Sequence, residues 1–318
     1  MGGPSAEMEV SLVTGKAVFD NLDRKKYSPF LVEMSKDGYF WLLKKDNRKI
    51  RLDLQNKDRQ MFDVIFIALH GSPGEDGGVQ GMLETLGVKY TGSGVLASAL
   101  AMNKVYSAQI YFANGLLYPE FIHFNADGWK RNADGIVEEI ISKLGFPLVV
   151  KPVDQGSAVG VSKIKSHDEL RKAIDKTIKS FPLLMAQKFV KGKEATCGVL
   201  EKDGQAIALP PTHILPNLGE FYDYKSKYST GGSTHICPAD FGDIVNGQIQ
   251  NLAIMAHKAL GCRGMSRTDI FAGDDKKLYI LETNTIPGMT STSLFPEAAA
   301  KAGIDFSVVL DYIIEASL

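Results

Sequence analysis

The chain has 318 residues, of which 44% are hydrophobic and 23% charged, and its formal net charge at pH 7 is −1. This is the composition of an ordinary folded protein, and the near-zero charge argues against nucleic acid or a membrane surface as a partner. The first residues show no secretory signal pattern, and no apolar run is long enough to span a membrane. The three cysteines form no CxxC pair. We therefore expect a cytoplasmic protein.

Strand-like and helix-like segments alternate, which predicts an α/β fold, or α+β overall. In chain order the pattern predicts a helix over 6–22, a strand over 62–69, and helices over 79–87, 104–114 and 135–143. It then predicts strands over 148–151 and 161–164, a helix over 168–179, a strand over 183–190, a helix over 243–260, a β-hairpin and two closing helices. We place domain boundaries near residues 103 and 187, which gives units 1–103, 104–187 and 188–318.

A loop rich in glycine follows the first predicted strand over residues 70–78. Open α/β sheets bind ligands at the carboxyl ends of their strands, where this loop begins. Its histidine, His70, is expected to titrate near neutrality or to donate a hydrogen bond.

A second loop of small residues, 154–160, lies between two predicted strands. Backbone N–H groups in such a loop can surround phosphate oxygens, and Lys151 at the strand end adds a positive charge. The segment lacks the GK[ST] ending of a Walker loop, and a plain hairpin turn is an equally good interpretation.

Two further segments fit the same nucleotide hypothesis. An adenine ring could lie against Phe189 while Glu194 binds ribose hydroxyls, although a core phenylalanine and a solvated glutamate are the commoner case. The aromatic and basic segment 219–228 could close over a site and deliver a lysine to a phosphoryl group, or it could be a solvated crossover.

The most informative pattern is near the C-terminus, where two strand-like runs, 268–272 and 278–281, flank a turn. Folding this hairpin brings Asp269 to within about one register position of Glu282. Alternation along a strand places Arg267 with Asp269, and Asn284 with Glu282. Carboxylate and amide oxygens on one face suit Mg²⁺, whereas a slip of one residue would place the two pairs on opposite faces. An ordinary solvated hairpin is the alternative.

Six segments together closely resemble the D-alanine–D-alanine ligases of the ATP-grasp superfamily. They are HGSPGEDG with GVQG (70–81), YTGSGVLASALAMNK (90–104), KPVDQGSAVGVSK (151–163), FYDYKSKY (221–228), GMSRTDI (264–270) and LETNTIPGMTSTSLFP (281–296). The resemblance implies a three-domain ATP-grasp fold whose N-terminal Rossmann-like domain lacks its usual first strand. It also implies a homodimeric enzyme that joins two D-alanines for peptidoglycan synthesis, with ATP as substrate and an acyl-phosphate intermediate.

The resemblance assigns roles to individual residues. Two Mg²⁺ (or Mn²⁺) ions would be held by Asp269, Glu282 and Asn284. ATP would be bound by Lys104, Lys151, Gly156, Ser157, Gln187, Phe189, Val190, Glu194 and Lys227. The catalytic groups would be Arg267 and Gly288 as the oxyanion hole, Glu7 with His70 for the first D-alanine, Ser293 for the carboxylate of the second, and Ser157 with Tyr228 linking Glu7 to the closing loop.

Two side chains depart from the family pattern. Gln187 stands where the family usually has glutamate near the adenine amino group, and its oxygen can still accept that bond. Ala158 replaces a usual serine. Tyr228 favours the dipeptide product; a ligase for D-lactate or D-serine, or an inactive nucleotide-binding relative, remains an alternative.

Overall fold

The computed structural model describes residues 1–44, 46, 48–217 and 232–318. Its named strands form three sheets, and every strand pair within them is antiparallel. The architecture is therefore α+β overall. No helix within the described ranges is both long and apolar enough to cross a membrane.

The first sheet has three short strands, β1 (Leu31–Met34), β2 (Phe40–Leu43) and β3 (Lys49–Arg51). The same part of the chain contains helices α1 (Met8–Asn21), α2 (Gly78–Thr85) and α3 (Val95–Met102), with a single 3₁₀ turn at Arg59–Met61. Parallel pairing, typical of a Rossmann-like sheet, is limited among the described residues to two single bridges, Gly2 with Met34 and Ile65 with Tyr90.

The strand predicted over 62–69 is wrong as a regular strand, because only Ile65 forms a bridge there. A cavity of about 520 Å³ lies beside this segment and is also lined by residues of β1. Its walls are mainly apolar, including Val18, Val32 and Phe66. The segment is extended but has no continuous neighbour with which to build a ladder.

The second sheet has the strand order β4–β7–β5–β6. Its strands are β4 (Phe121–Asn125), β5 (Leu148–Pro152), β6 (Ser162–Ile164) and β7 (Leu183–Lys188), and its helices are α4 (Lys104–Ala113), α5 (Ala126–Leu144) and α6 (His167–Thr177). Helix α5 is kinked at Asn132, whose φ and ψ of −150° and 57° are not helical. Asn125 caps its first segment by accepting a hydrogen bond from the Gly128 N–H, and the helix predicted from residue 135 lies in the second segment, where Asn132 Oδ1 accepts from the Gly135 N–H at 3.2 Å. Leu148, Val150 and Leu184 pack into a core with α5 and α6.

The third sheet has the order β11–β10–β8–β12–β13, with β9 paired to β8. Its strands are β8 (Gly192–Lys202), β9 (Gln205–Ala208), β10 (Thr212–Pro216), β11 (Ser233–Ile236), β12 (Met265–Gly273) and β13 (Leu278–Asn284). The helices are α7 (Asp243–Leu260), whose predicted limits are confirmed, α8 (Leu294–Lys301) and α9 (Phe306–Glu315). The domain boundaries near 103 and 187 stay a prediction.

Candidate active site

The β12–β13 hairpin has the register that the metal hypothesis requires. Arg267 pairs with Asn284, and Asp269 pairs with Glu282. Directly opposed residues of antiparallel strands point to the same face, so these four side chains lie together. The register shifts immediately after Asp269, where a β-bulge begins.

Cationic side chains of the chain itself neutralise both carboxylates. Arg267 donates to Asp269 through two bonds, Nε to Oδ1 at 2.9 Å and Nη2 to Oδ2 at 3.0 Å. Thr196 Oγ1 donates to the same carboxylate at 2.6 Å. On β13, Glu282 Oε2 lies 3.1 Å from Lys104 Nζ. The hairpin is therefore a concentrated site of paired charges, partly shielded from solvent.

The donor set on this face fits a magnesium ion by its chemistry. Asp269 and Glu282 supply carboxylate oxygens and Asn284 an amide oxygen, which are the ligands that hard divalent cations prefer. No group of three or more His, Cys, Asp or Glu side chains suited to a metal occurs in the described part of the chain. A metal here would therefore depend on two carboxylates, the amide and groups from the substrates.

Lys104 connects the hairpin to the small-residue loop. It is the first residue of α4, which Asn103 caps by accepting hydrogen bonds from two backbone N–H groups. The Lys104 ammonium donates to the carbonyl oxygen of Gln155 at 2.7 Å. In the same loop, Ser157 and Ala158 have φ values of 52° and 57°. Two consecutive left-handed residues with side chains are costly, and such strain is concentrated at functional loops.

Lys151 and Gln187 lie on neighbouring strands of the second sheet, and the Lys151 ammonium donates to Gln187 Oε1 at 2.8 Å. Burial, followed by the charge of Lys104, lowers the pKa of Lys151 to about 7. Beyond the end of β7, Lys163 Nζ lies 4.2 Å from the ring centroid of Phe189. Val190 follows Phe189, and Glu194 lies in β8, where it pairs with Phe271 of β12 and Ile214 of β10. Their role in binding a base stays a prediction.

Glu7 lies immediately before α1, and hydrogen bonds hold both its backbone and its carboxylate. Its N–H donates to Ser5 Oγ at 3.2 Å, and its carboxylate accepts a short hydrogen bond from Ser157 Oγ. A Cβ added to Gly156 would lie 3.5 Å from the same carboxylate. Glu7 therefore meets the small-residue loop directly.

Of the two roles expected of His70, titration near neutrality is wrong, whereas a hydrogen bond, with Thr14, is present. The His70 side chain is buried, with Nε2 2.9 Å from Thr14 Oγ1, and desolvation lowers its pKa to about 4. The imidazole is therefore neutral at pH 7. In the same loop the pKa of the Glu75 carboxyl changes in the opposite direction, because burial and the nearby Glu7 raise it to about 8. Its carboxylate accepts a hydrogen bond from the Gly71 N–H at 2.7 Å.

Gly288 and Ser293 lie side by side in the loop that follows the hairpin. A Cβ on Gly288 would lie 2.8 Å from Ser293 Oγ, so only glycine fits without displacement. Ser293 Oγ accepts a hydrogen bond from the Thr290 N–H at 3.0 Å and precedes the first residue of α8, Leu294. The start of this helix therefore presents a serine hydroxyl and backbone N–H groups together.

Two sequence models of one family match the chain. The model described as "D-ala D-ala ligase N-terminus" matches residues 1–59 and 44–93, and "D-ala D-ala ligase C-terminus" matches residues 110–315. The chain belongs to the D-alanine–D-alanine ligase family. A D-alanine–D-alanine ligase of Syntrophobacter fumaroxidans is 44% identical, over 100% of this chain and 96% of the relative.

Solved structures of similar ligases share the fold. The VanG D-Ala:D-Ser ligase of Enterococcus faecalis has a TM-score of 0.88 at 29% identity, over 100% of this chain and 98% of the other. The D-alanine–D-alanine ligase of Bacillus anthracis complexed with ATP has a TM-score of 0.80 at 31% identity, over 100% and 95%. These ligases confirm the predicted ATP-grasp architecture.

Not every residue that the ligase resemblance singled out can be placed. Lys227 and Tyr228 lie outside the described residues. Conversely, the sequence assigned no catalytic or binding role to Glu75, Thr196 or the Gln155 carbonyl, all of which contact or border the site. Glu75 lies within the HGSPGEDG motif and could have been found there. The other two depend on pairing between distant segments, which the sequence does not reveal.

Proposed function

We propose that this chain joins two D-alanine molecules into D-alanyl-D-alanine at the expense of ATP, in the cytoplasm, for peptidoglycan precursor synthesis. The observation that carries the proposal is the shared face of Arg267, Asp269, Glu282 and Asn284, joined through Lys104 to the small-residue loop. Family membership and the ATP complex of a similar ligase support the same reaction.

In this proposal the nucleotide lies between the second and third sheets. Lys104 and Lys151 contact its α- and β-phosphates, Lys227 the γ-phosphate, and the N–H groups of Gly156 and Ser157 the loop-facing oxygens. The base lies near Phe189 and Val190 with Gln187 beside position 6 of the purine, and Glu194 binds the ribose. The lowered pKa of Lys151 suits a group whose charge is stabilised when phosphate arrives.

Asp269, Glu282 and Asn284 would hold two Mg²⁺ or Mn²⁺ ions. When bound, such ions would offset the negative charge that develops during phosphoryl transfer. The chain's own cations occupy these carboxylates in the structure, so Arg267 and Lys104 are already positioned to turn from the carboxylates to substrate oxygens.

The substrates then react in two steps. The carboxylate of the first D-alanine attacks the γ-phosphorus and ADP leaves, while Glu7 binds the ammonium group and neutral His70 lies nearby. The amine of the second D-alanine attacks the acyl phosphate, loses a proton, and phosphate leaves. Arg267 and the Gly288 N–H stabilise the tetrahedral oxyanion, and Ser293 with the Leu294 N–H holds the second carboxylate.

A coupled assay with ATP, Mg²⁺ and D-alanine tests the proposal. We expect phosphate release by the wild type and none by Asp269→Ala, and we expect Arg267→Gln to lower kcat by roughly 10²–10³-fold. Wild-type release no greater than that of Asp269→Ala would refute the assignment.

A ligase that accepts D-serine is the second candidate, because the VanG D-Ala:D-Ser ligase shares the fold over the whole chain. Competing D-alanine, D-serine and D-lactate at neutral pH and measuring the products separates the candidates. An inactive relative would instead bind ATP in calorimetry without turnover.

We further propose that the enzyme is a homodimer. Leu96 on α3, and Tyr106 and Phe112 on α4, are exposed large apolar side chains that a second copy could cover. Light scattering of the purified chain measures its mass in solution, and we expect the mass of two chains. A mass of one 34.7 kDa chain would contradict the proposal.

A further inference from the structure

Thr196 on β8 is the third member of a row of paired residues that crosses three strands. It pairs with Asp269 on β12, which in turn pairs with Glu282 on β13. Directly opposed residues of antiparallel strands point to the same face, so the threonine lies on the face of the two carboxylates. Only 2% of the residue is exposed. A buried hydroxyl group therefore lies beside Asp269, on the side away from Glu282.

The Thr196 hydroxyl donates its hydrogen to Asp269. Its Oγ1 lies 2.6 Å from Asp269 Oδ1 and 3.3 Å from the carbonyl oxygen of Thr268. A hydroxyl has one hydrogen to donate, and the shorter contact, to a carboxylate oxygen, is the stronger bond. Because a β-branched side chain has few rotamers, the direction of this donor is restricted. The hydroxyl therefore holds the orientation of the Asp269 carboxylate.

The other donors to Asp269 come from the hairpin itself. Arg267 donates to both carboxylate oxygens, and Asn284 Nδ2 lies 3.4 Å from Oδ2. A cation held by this hairpin requires the guanidinium to leave and the amide to present its oxygen, because N–H groups do not coordinate hard cations. The Thr196 hydroxyl approaches from the β8 side, and a carboxylate has about four lone-pair sites. Its hydrogen bond is therefore the one that can remain when a cation binds.

We propose that Thr196 is a positioning residue that holds the Asp269 carboxylate in its metal-binding orientation, both before and after a divalent cation replaces Arg267. The inference rests on the proposed function, in which Asp269 is a metal ligand. Because the carboxylate is already oriented, less free energy is lost in ordering it when the cation binds. Removing a hydrogen bond to a metal ligand typically weakens metal affinity by about 10–100-fold. Thr196 acts through Asp269 rather than on the substrates.

The test is the affinity of the full chain for Mn²⁺ in saturating ADP, measured from the electron paramagnetic resonance signal of free Mn²⁺. The informative variant is Thr196→Ala, because alanine removes the hydroxyl without placing a methyl group 2.6 Å from the carboxylate. We expect its Kd for Mn²⁺ to be about tenfold higher than that of the wild type. Thr196→Ser restores the hydroxyl and should recover most of the affinity.

Thr212→Ala is the matched control. Thr212 pairs with Thr196 from β10 and is 1% exposed, but it lies one strand further from Asp269. Its Kd for Mn²⁺ should equal that of the wild type. The Tm of each metal-free variant, measured alongside, separates a loss of stability from a loss of metal affinity.

The outcomes separate this inference from the metal assignment itself. Mn²⁺ binding that is lost in Asp269→Ala but unchanged in Thr196→Ala overturns the role of Thr196 and leaves the metal assignment intact. An equal loss in Thr212→Ala, or no recovery in Thr196→Ser, also overturns that role, because the effect is then one of packing. Equal Mn²⁺ binding by the wild type and Asp269→Ala overturns the metal assignment in the proposed function as well.

Discussion

His70 and Glu75 lie five residues apart in one loop, and burial moves their pKa values in opposite directions. The imidazole is kept neutral at pH 7 because its pKa is lowered to about 4, while the pKa of the Glu75 carboxyl is raised to about 8. Desolvation disfavours the charged form of either group. Both groups are therefore held close to neutral at pH 7.

This arrangement predicts how Glu75 affects stability. Below pH 4.5 the carboxyl is protonated in both the folded and the unfolded chain, and between pH 4.5 and 8 only the folded chain keeps its proton. The stabilisation is therefore lost as pH rises towards 8. Glu75→Gln removes this dependence, so its Tm minus that of the wild type should increase between pH 5 and pH 8 in thermal unfolding.

Asp76→Asn provides the control for Glu75, because Asp76 accepts its hydrogen bond from the Gly78 N–H at the exposed surface of the same loop. Its Tm difference should change less across this range. A Tm difference for Glu75→Gln that is constant from pH 5 to pH 8 would show that the carboxyl is not held protonated.

Helix α4 holds the β13 edge at two points. Lys104 and Tyr111 are two turns apart on one side of the helix; the first pairs with Glu282, and the Tyr111 hydroxyl donates to Thr283 Oγ1 at 2.9 Å. Thr283 Oγ1 also lies 3.0 Å from Thr268 Oγ1 on β12. These buried hydroxyl groups join the helix and both strands behind the carboxylates and favour the observed register.

Removing the Tyr111 hydroxyl tests how much these hydrogen bonds contribute to stability. Tyr111→Phe should lower the free energy of unfolding by about 1 kcal/mol in urea titrations, because a buried hydrogen bond is lost without a change in packing. Tyr279→Phe on the same hairpin loses only an exposed bond to Asp275 and should cost less. If the two variants lose equal free energy of unfolding, the buried Tyr111 hydrogen bond stabilises the fold no more than the exposed one.

Three successive parts of the chain, each containing one of the sheets, contribute to the proposed site. Glu7 and His70 come from the first part of the chain, Lys151 and Ser157 from the second, and the metal hairpin from the third. Long-range contacts hold these parts together, including the hydrogen bonds from Arg263 to the carbonyl oxygens of Gly92 and Tyr90 at 2.9 and 3.1 Å.

A cavity of about 520 Å³ lies beside β1. Met1 lies at its wall, and burial lowers the pKa of its ammonium group to about 6. Fusing an apolar segment of about five residues ahead of Met1 should fill the cavity as an added strand and raise Tm.

The fusion also replaces a buried ammonium, whose cost appears as pH falls from 8 to 6, so the gain in Tm should be larger at pH 6 than at pH 8. A glycine- and serine-rich extension of equal length is the control. If both extensions change Tm equally, the cavity does not accept a strand.

The sequence alone determined the features that depend on near neighbours along the chain. Helix α7 and the β12–β13 hairpin, with Asp269 beside Glu282, were predicted because their patterns and their turn are local. The motifs were also sufficient to indicate the ligase family. These features need no information about distant segments.

Only the tertiary structure decided the rest. Strand β8 was not predicted, because its residues 195–200 are all buried and show no alternation of polar and apolar side chains. The segment 62–69 was predicted as a strand but forms only one bridge, because no neighbouring strand pairs along its length. The neutral His70 and the orientation of the Gln187 amide depend on burial and on Lys151, which is distant in sequence. Protonation and hydrogen-bond direction follow from surroundings, and the fold creates those surroundings.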